Sequence, residues 1–189
     1  NRAMTCDALG PLALEHLMIT RHLAQAMPHV FGDLRPVCAV APGVTGTTGL
    51  EPAELIRGAV RQARPAAVIA IDALAARLPQ RLCRTFQMSD TGITPGSGAC
   101  NPRQGLNQTT LGVPVIALGV PTVVDSATLV WDALPRGQVD TAALPPALTE
   151  VLTQGRSFIV APKDSDEVVE LSCRLLAMGL DRAFGVGEM

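Results

Sequence analysis

Four aspartates stand where a carboxylate could do chemistry. Asp72 follows the apolar run Ala66 to Ile71 and precedes Ala73-Leu74-Ala75-Ala76. A carboxylate so enclosed is poorly solvated, and desolvation favours its protonated form. The same position also suits an ordinary helix cap after a strand. Asp7 lies in Thr5-Cys6-Asp7-Ala8-Leu9-Gly10-Pro11, ahead of the first expected helix. A helix start favours the ionised form through its dipole and free backbone N–H groups, and a cap is again the alternative. Two carboxylates pushed in opposite directions can divide acid and base duties on one water. Asp90, in the turn-like Asp90-Thr91-Gly92, and Asp125, after Pro121-Thr122-Val123-Val124, are the other two candidates.

Other chemistries lack their residues. His16, His22 and His29 all lie in or just after the first helical pattern, and no third convergent ligand accompanies them. The five cysteines, Cys6, Cys38, Cys83, Cys100 and Cys173, show no Cys-x-x-Cys spacing and are odd in number, so they are read as reduced thiols. A Cys6 nucleophile is disfavoured by its neighbour Asp7. No Gly-x-Ser-x-Gly elbow is present. Gly43-x-x-Gly46-x-x-Gly49 lacks the Lys-Ser/Thr of a phosphate loop, although such a loop can cradle an anion or admit a peptide backbone.

Alternating elements must position these residues. Helical spacing predicts a helix over Pro11–Met27, stopped by Pro28. Strands are expected at Pro36–Ala41, Ala66–Ile71, Arg84–Met88, Val113–Val120 and Ser157–Ala161. Further helices are expected from Pro52 to about Arg64, over Thr122–Leu134, and from an Asp164 or Ser165 cap to about Ala183. Continuous apolar strands alternating with helices predict an α/β fold, with a mainly parallel sheet and helices on both faces. Ligands of such sheets collect beyond the strand ends, which singles out Pro42–Gly49, Asp72 and Pro121–Asp125. One domain over 1–189 is expected, with 135–156 as a variable linker or shortened insertion. The chain opens at Asn1 with neither an initiator Met nor a leading strand, and is read as a fragment or processed form.

Bulk composition narrows the function. Of the 189 residues, 48% are apolar and only 17% charged, which argues for a well-buried sheet and against disorder. A net charge of −2 and 3% aromatics exclude a strongly basic nucleic-acid binder and a base-stacking platform. No run is long enough to span a membrane. No nucleic-acid or membrane partner is expected.

Longer runs carry a resemblance. Ala70-Ile71-Asp72-Ala73-Leu74-Ala75, the run from Gln87-Met88-Ser89-Asp90-Thr91-Gly92 to Pro95-Gly96-Ser97-Gly98, and the run from Thr110-Leu111-Gly112 to Pro121-Thr122-Val123-Val124-Asp125 closely resemble the germination proteases of spore-forming bacteria. So do the Thr5–Pro11 entrance, Thr20-Arg21-His22-Leu23, the glycine loop and Phe158–Lys163. The resemblance implies a three-layer α/β sandwich of the phosphorylase/hydrogenase-maturation-protease type. It implies a homotetrameric endopeptidase of the spore core, made as a zymogen, that degrades small acid-soluble spore proteins during germination. It implies an aspartic mechanism without metal or other cofactor, with Asp7 and Asp72 as the pair and Asp7 as the ionised partner. Gly43, Gly46, Gly49, Asp90, Thr91, Gly92, Pro121, Thr122 and Asp125 are then the expected substrate contacts. Arg77, Arg81, Arg84 and Arg103 are candidates to face an acidic substrate. Measured against the family, a propeptide and a strand are expected ahead of Asn1, the segment before Phe158 reads as shortened, and Cys6 stands where Pro is usual. A non-peptidase sporulation protein on the same fold and a nickel-dependent hydrogenase maturation protease are the competing readings.

Overall fold

The computed structural model describes residues 5–95, 104–133, 145–153 and 158–186. A 3₁₀ turn at Thr5–Asp7 leads into α1 (Leu9–His16), α2 (Arg21–Ala26), α3 (Pro28–Phe31), α4 (Thr45–Thr48) and α5 (Pro52–Ala63). Then come β1 (Val68–Ala76), β2 (Gln87–Ser89), α6 (Gln108–Leu111) and β3 (Val115–Asp125). The chain continues through α7 (Ser126–Ala133), α8 (Pro146–Thr153), β4 (Ile159–Val160) and α9 (Ser165–Phe184).

Two long strands make the frame. β1 pairs in parallel with β3, and the short β2 and β4 pair antiparallel with β3. The sheet is therefore mixed, its parallel character resting on the β1–β3 pair. Side chains alternate across the two faces of a strand. Ile71 and Ala73 of β1, with Leu118 and Val120 of β3, meet Leu9 and Ala13 of α1 and Val169, Cys173 and Leu176 of α9. The opposite face, with Val68, Ala70 and Val115, meets Ala53 and Ile56 of α5 and Leu111 of α6. Helices thus cover both faces, as the strand composition required.

Several boundaries differ from the sequence expectation. The single helix over Pro11–Met27 is two helices. Thr20, fully buried, interrupts it: its hydroxyl donates to the Arg35 carbonyl and accepts from the Val37 N–H, so the chain turns to meet that run. Pro36–Ala41 is not a strand. Its backbone is tied to Thr20 and Arg21 at Val37, and it has no ladder partner among the described residues. β1 does not stop before Asp72, and β3 does not stop at Val120. Each runs about five residues further, because the β1–β3 ladder continues to Ala76 and Val124. The helix expected from Thr122 consequently begins at Ser126. Within 135–156, residues 145–153 are described, and Pro146–Thr153 is helical. The helix over Pro52–Ala63 and the long final helix stand where expected.

Candidate active site

Asp72 occupies the middle of β1, with Gly119 of β3 as its Cα partner. It is half-buried, and its Oδ1 accepts a bond of 2.9 Å from the Ala73 N–H. Burial lifts its carboxyl above the usual 3.8; the Ala73 N–H works against this, and the negative charge of Asp7 adds to it. The cap alternative fails for Asp72, because no helix begins there. Gly119 keeps the opposing position clear: a Cβ on it would stand 2.5 Å from the Leu74 Cδ1 and 3.1 Å from the Asp72 carbonyl. A glycine inside an apolar strand signals such a close approach, and it is the one clue in the sequence to this side of the site.

Asp7 ends the 3₁₀ turn and is exposed. The cap alternative fails here too, since Ala8 is the residue that precedes α1. The backbone of the turn is held by the fully buried Thr122, whose Oγ1 donates to the Cys6 carbonyl at 2.6 Å. Gly10, in the first turn of α1, brings that helix against β1: a Cβ there would lie 2.8 Å from the Ile71 carbonyl. The Cys173 thiol of α9 reaches the Leu9 carbonyl at 3.4 Å. Three contacts therefore dock the Asp7 segment beside the strand that carries Asp72. The result is one exposed carboxylate and one half-buried carboxyl on adjoining elements.

The other expected contacts scatter. Pro121 and Thr122 are enclosed in β3, and neither offers a surface to a substrate. The Pro121 carbonyl accepts from the Cys83 N–H at 2.6 Å. Asp125 ends β3 and caps α7, its Oδ1 accepting from the Thr128 N–H at 3.2 Å. Asp90 and Thr91 are exposed in a turn where the Ser89 and Thr91 hydroxyls bond at 2.7 Å. Gly92 has a φ of +82° and lies against the Leu106 carbonyl, so it shapes that loop. Gly43, Gly46 and Gly49 are exposed around the short α4. Arg77 pairs with Asp132 at 3.5 Å, Arg81 and Arg84 are exposed, and Arg103 lies outside the described residues. Among the described residues no three His, Cys, Asp or Glu side chains converge as a metal site. No helix among them is long and apolar enough to cross a membrane.

Comparison with known proteins adds the family. The sequence model described as germination protease matches residues 1–135. A germination protease of Clostridium perfringens is 39% identical over 211 aligned positions, covering 97% of this chain and 63% of the relative. One from Clostridium acetobutylicum is 43% identical, with 97% and 62% coverage. One from Bacillus subtilis is 55% identical over 135 residues, covering 71% of this chain and 37% of the relative. The chain thus spans less than two thirds of the length of these relatives.

Proposed function

The chain belongs to the germination protease family, and from that premise we propose that it is an endopeptidase that degrades small acid-soluble spore proteins during germination, using Asp7 and Asp72. The observation that carries this reading is the half-buried Asp72 carboxyl, raised by burial and by the charge of Asp7. In this mechanism Asp7, exposed and ionised, takes a proton from a water whose oxygen attacks the scissile carbonyl carbon. Asp72, protonated, first donates a hydrogen bond to the carbonyl oxygen. It then gives its proton to the departing amine as the C–N bond breaks. The product is one carboxylic acid and one amine, and each aspartate returns to its starting form when the proton on Asp7 passes back through solvent. General acid–base work of this kind contributes about 10²–10⁴-fold, so loss of either aspartate should cost at least about 100-fold.

The finer family features belong to the same proposal. They are a phosphorylase/hydrogenase-maturation-protease-like three-layer sandwich, a zymogen precursor, a homotetramer and a place in the spore core. The exposed glycine loop and the Asp90–Gly92 turn are the substrate contacts this reading retains. The test is cleavage of a purified small acid-soluble spore protein by the chain, beside Asp7→Asn and Asp72→Asn, with folds checked by circular dichroism. The reading expects cleavage by the parent and a loss of at least about 100-fold in each variant. Full activity in a folded variant removes that aspartate from the mechanism. No cleavage by the parent favours a non-peptidase role on the same fold.

A further inference from the structure

Thr122 does more than fill the core. The β1–β3 ladder pairs Leu74 with Pro121 and then Ala75 with Val123, so Thr122 has no partner on β1. It is the extra residue of a bulge, a device that re-aims a side chain and is uncommon in parallel pairs. Its face of the sheet is the one covered by α1 and α9, and its relative exposure is 0%. A buried hydroxyl needs a partner, and the bulge supplies one: the Cys6 carbonyl, 2.6 Å away and 116 positions distant in sequence. This hydrogen bond joins the Thr5–Asp7 turn to the sheet. Cys6 is bonded covalently to Asp7, so whatever fixes the Cys6 carbonyl fixes the start of the peptide unit that carries the carboxylate.

We propose that Thr122 is a positioning residue for catalysis, holding Asp7 at its working distance from Asp72 through the Cys6 carbonyl. The proposal rests on the reading of Asp7 and Asp72 as the catalytic pair. Thr122 touches neither substrate nor reacting atoms, and it acts through the backbone of the turn. The alternative is a hydroxyl that satisfies one buried carbonyl and stabilises the fold without aligning the pair. The two separate cleanly. A purely structural bond changes the melting temperature alone. A positioning bond also changes the environment of Asp72, because the charge of Asp7 is one cause of the raised Asp72 carboxyl.

Thr122→Val removes the hydroxyl at nearly constant shape, and Thr122→Ser keeps it. Should Thr122→Val fail to fold, Thr122→Ala removes the hydroxyl without setting a methyl against the carbonyl and takes the same measurements. Spore-protein cleavage gives kcat and KM, and carboxyl-carbon NMR follows the titration of Asp72. With Asp7→Asn inactive, the hydroxyl-free variant should lose up to about 100-fold in kcat, the scale of an ångström-sized misplacement. KM should stay close to that of the parent, Thr122→Ser should recover the rate, and Asp72 should titrate lower than in the parent. A folded hydroxyl-free variant with parental kcat, or with Asp72 titrating as in the parent, overturns the proposal and leaves the pair intact. An active Asp7→Asn overturns the pair itself and the role of Thr122 with it.

Discussion

The Asp72 carboxyl is lifted because β1 carries it through the sheet instead of ending at it. That has a consequence for stability. A folded-state value above the ordinary 3.8 means that the native chain holds the Asp72 proton more tightly than the unfolded chain does. The stabilisation is complete below the unfolded value and is lost as pH rises through the folded one. Urea unfolding of the parent and of Asp72→Asn should therefore show the parent losing stability relative to the variant as pH climbs from 3.8 towards neutrality. A difference that stays flat, or that grows in the parent's favour, contradicts the burial account. At this scale the sequence singled out Asp72 by its apolar neighbours and Asp7 by its place before a helix. It did not show Thr122 as a tether, because a contact spanning 116 positions leaves no local pattern.

Elements place these residues, and glycines set how closely the elements approach. Gly10 presses α1 onto β1, whereas Gly58 in the exposed middle of α5 has no heavy atom within 4 Å of an added Cβ. Gly10→Ala should destabilise the fold. The overpacking cost of about 1–3 kcal/mol outweighs the ~0.5–1 kcal/mol that Ala gains over Gly in a helix. Gly58→Ala should stabilise it by that same ~0.5–1 kcal/mol. Thermal or urea unfolding of the two variants checks both signs, and a stabilised Gly10→Ala would deny the close docking of α1. The elements themselves were partly legible. Apolar runs located both long strands, and the Pro52 start and the Asp164 boundary located two helices. The strand ends were misread because Asp72 and Pro121 look like stop signals. A nine-residue parallel register overrides both. Pro36–Ala41 was misread in the other direction: its composition suits a strand, but a strand needs a partner, and none stands beside it among the described residues.

The whole molecule presents an apolar face that its charge and composition did not announce. Phe86 just before β2, Met88 within it, and Leu171, Leu175 and Met178 on α9 are 48–75% exposed. Phe86, Met88 and Leu175 line one shallow groove with Leu118 of the sheet. Contiguous apolar surface of this kind marks an association site. Under the proposed homotetramer, Met178→Glu should shift the chain to smaller species in light scattering while its melting temperature stays near the parent's. A parent that is monomeric at the same concentration contradicts that assembly. The packing of Val169, Cys173 and Leu176 of α9 against α1 and the sheet leaves Leu171, Leu175 and Met178 facing outward.

In the proposed mechanism Asp7 and Asp72 work as one pair, and the titration of Asp72 tests this without requiring turnover. Carboxyl-carbon NMR on the parent and on Asp7→Asn follows that titration directly. Asp72 should titrate high in the parent and move down, while remaining above the ordinary 3.8, once the Asp7 charge is gone, since burial persists. An Asp72 that titrates identically in both chains would show two uncoupled carboxyls and contradict the pair.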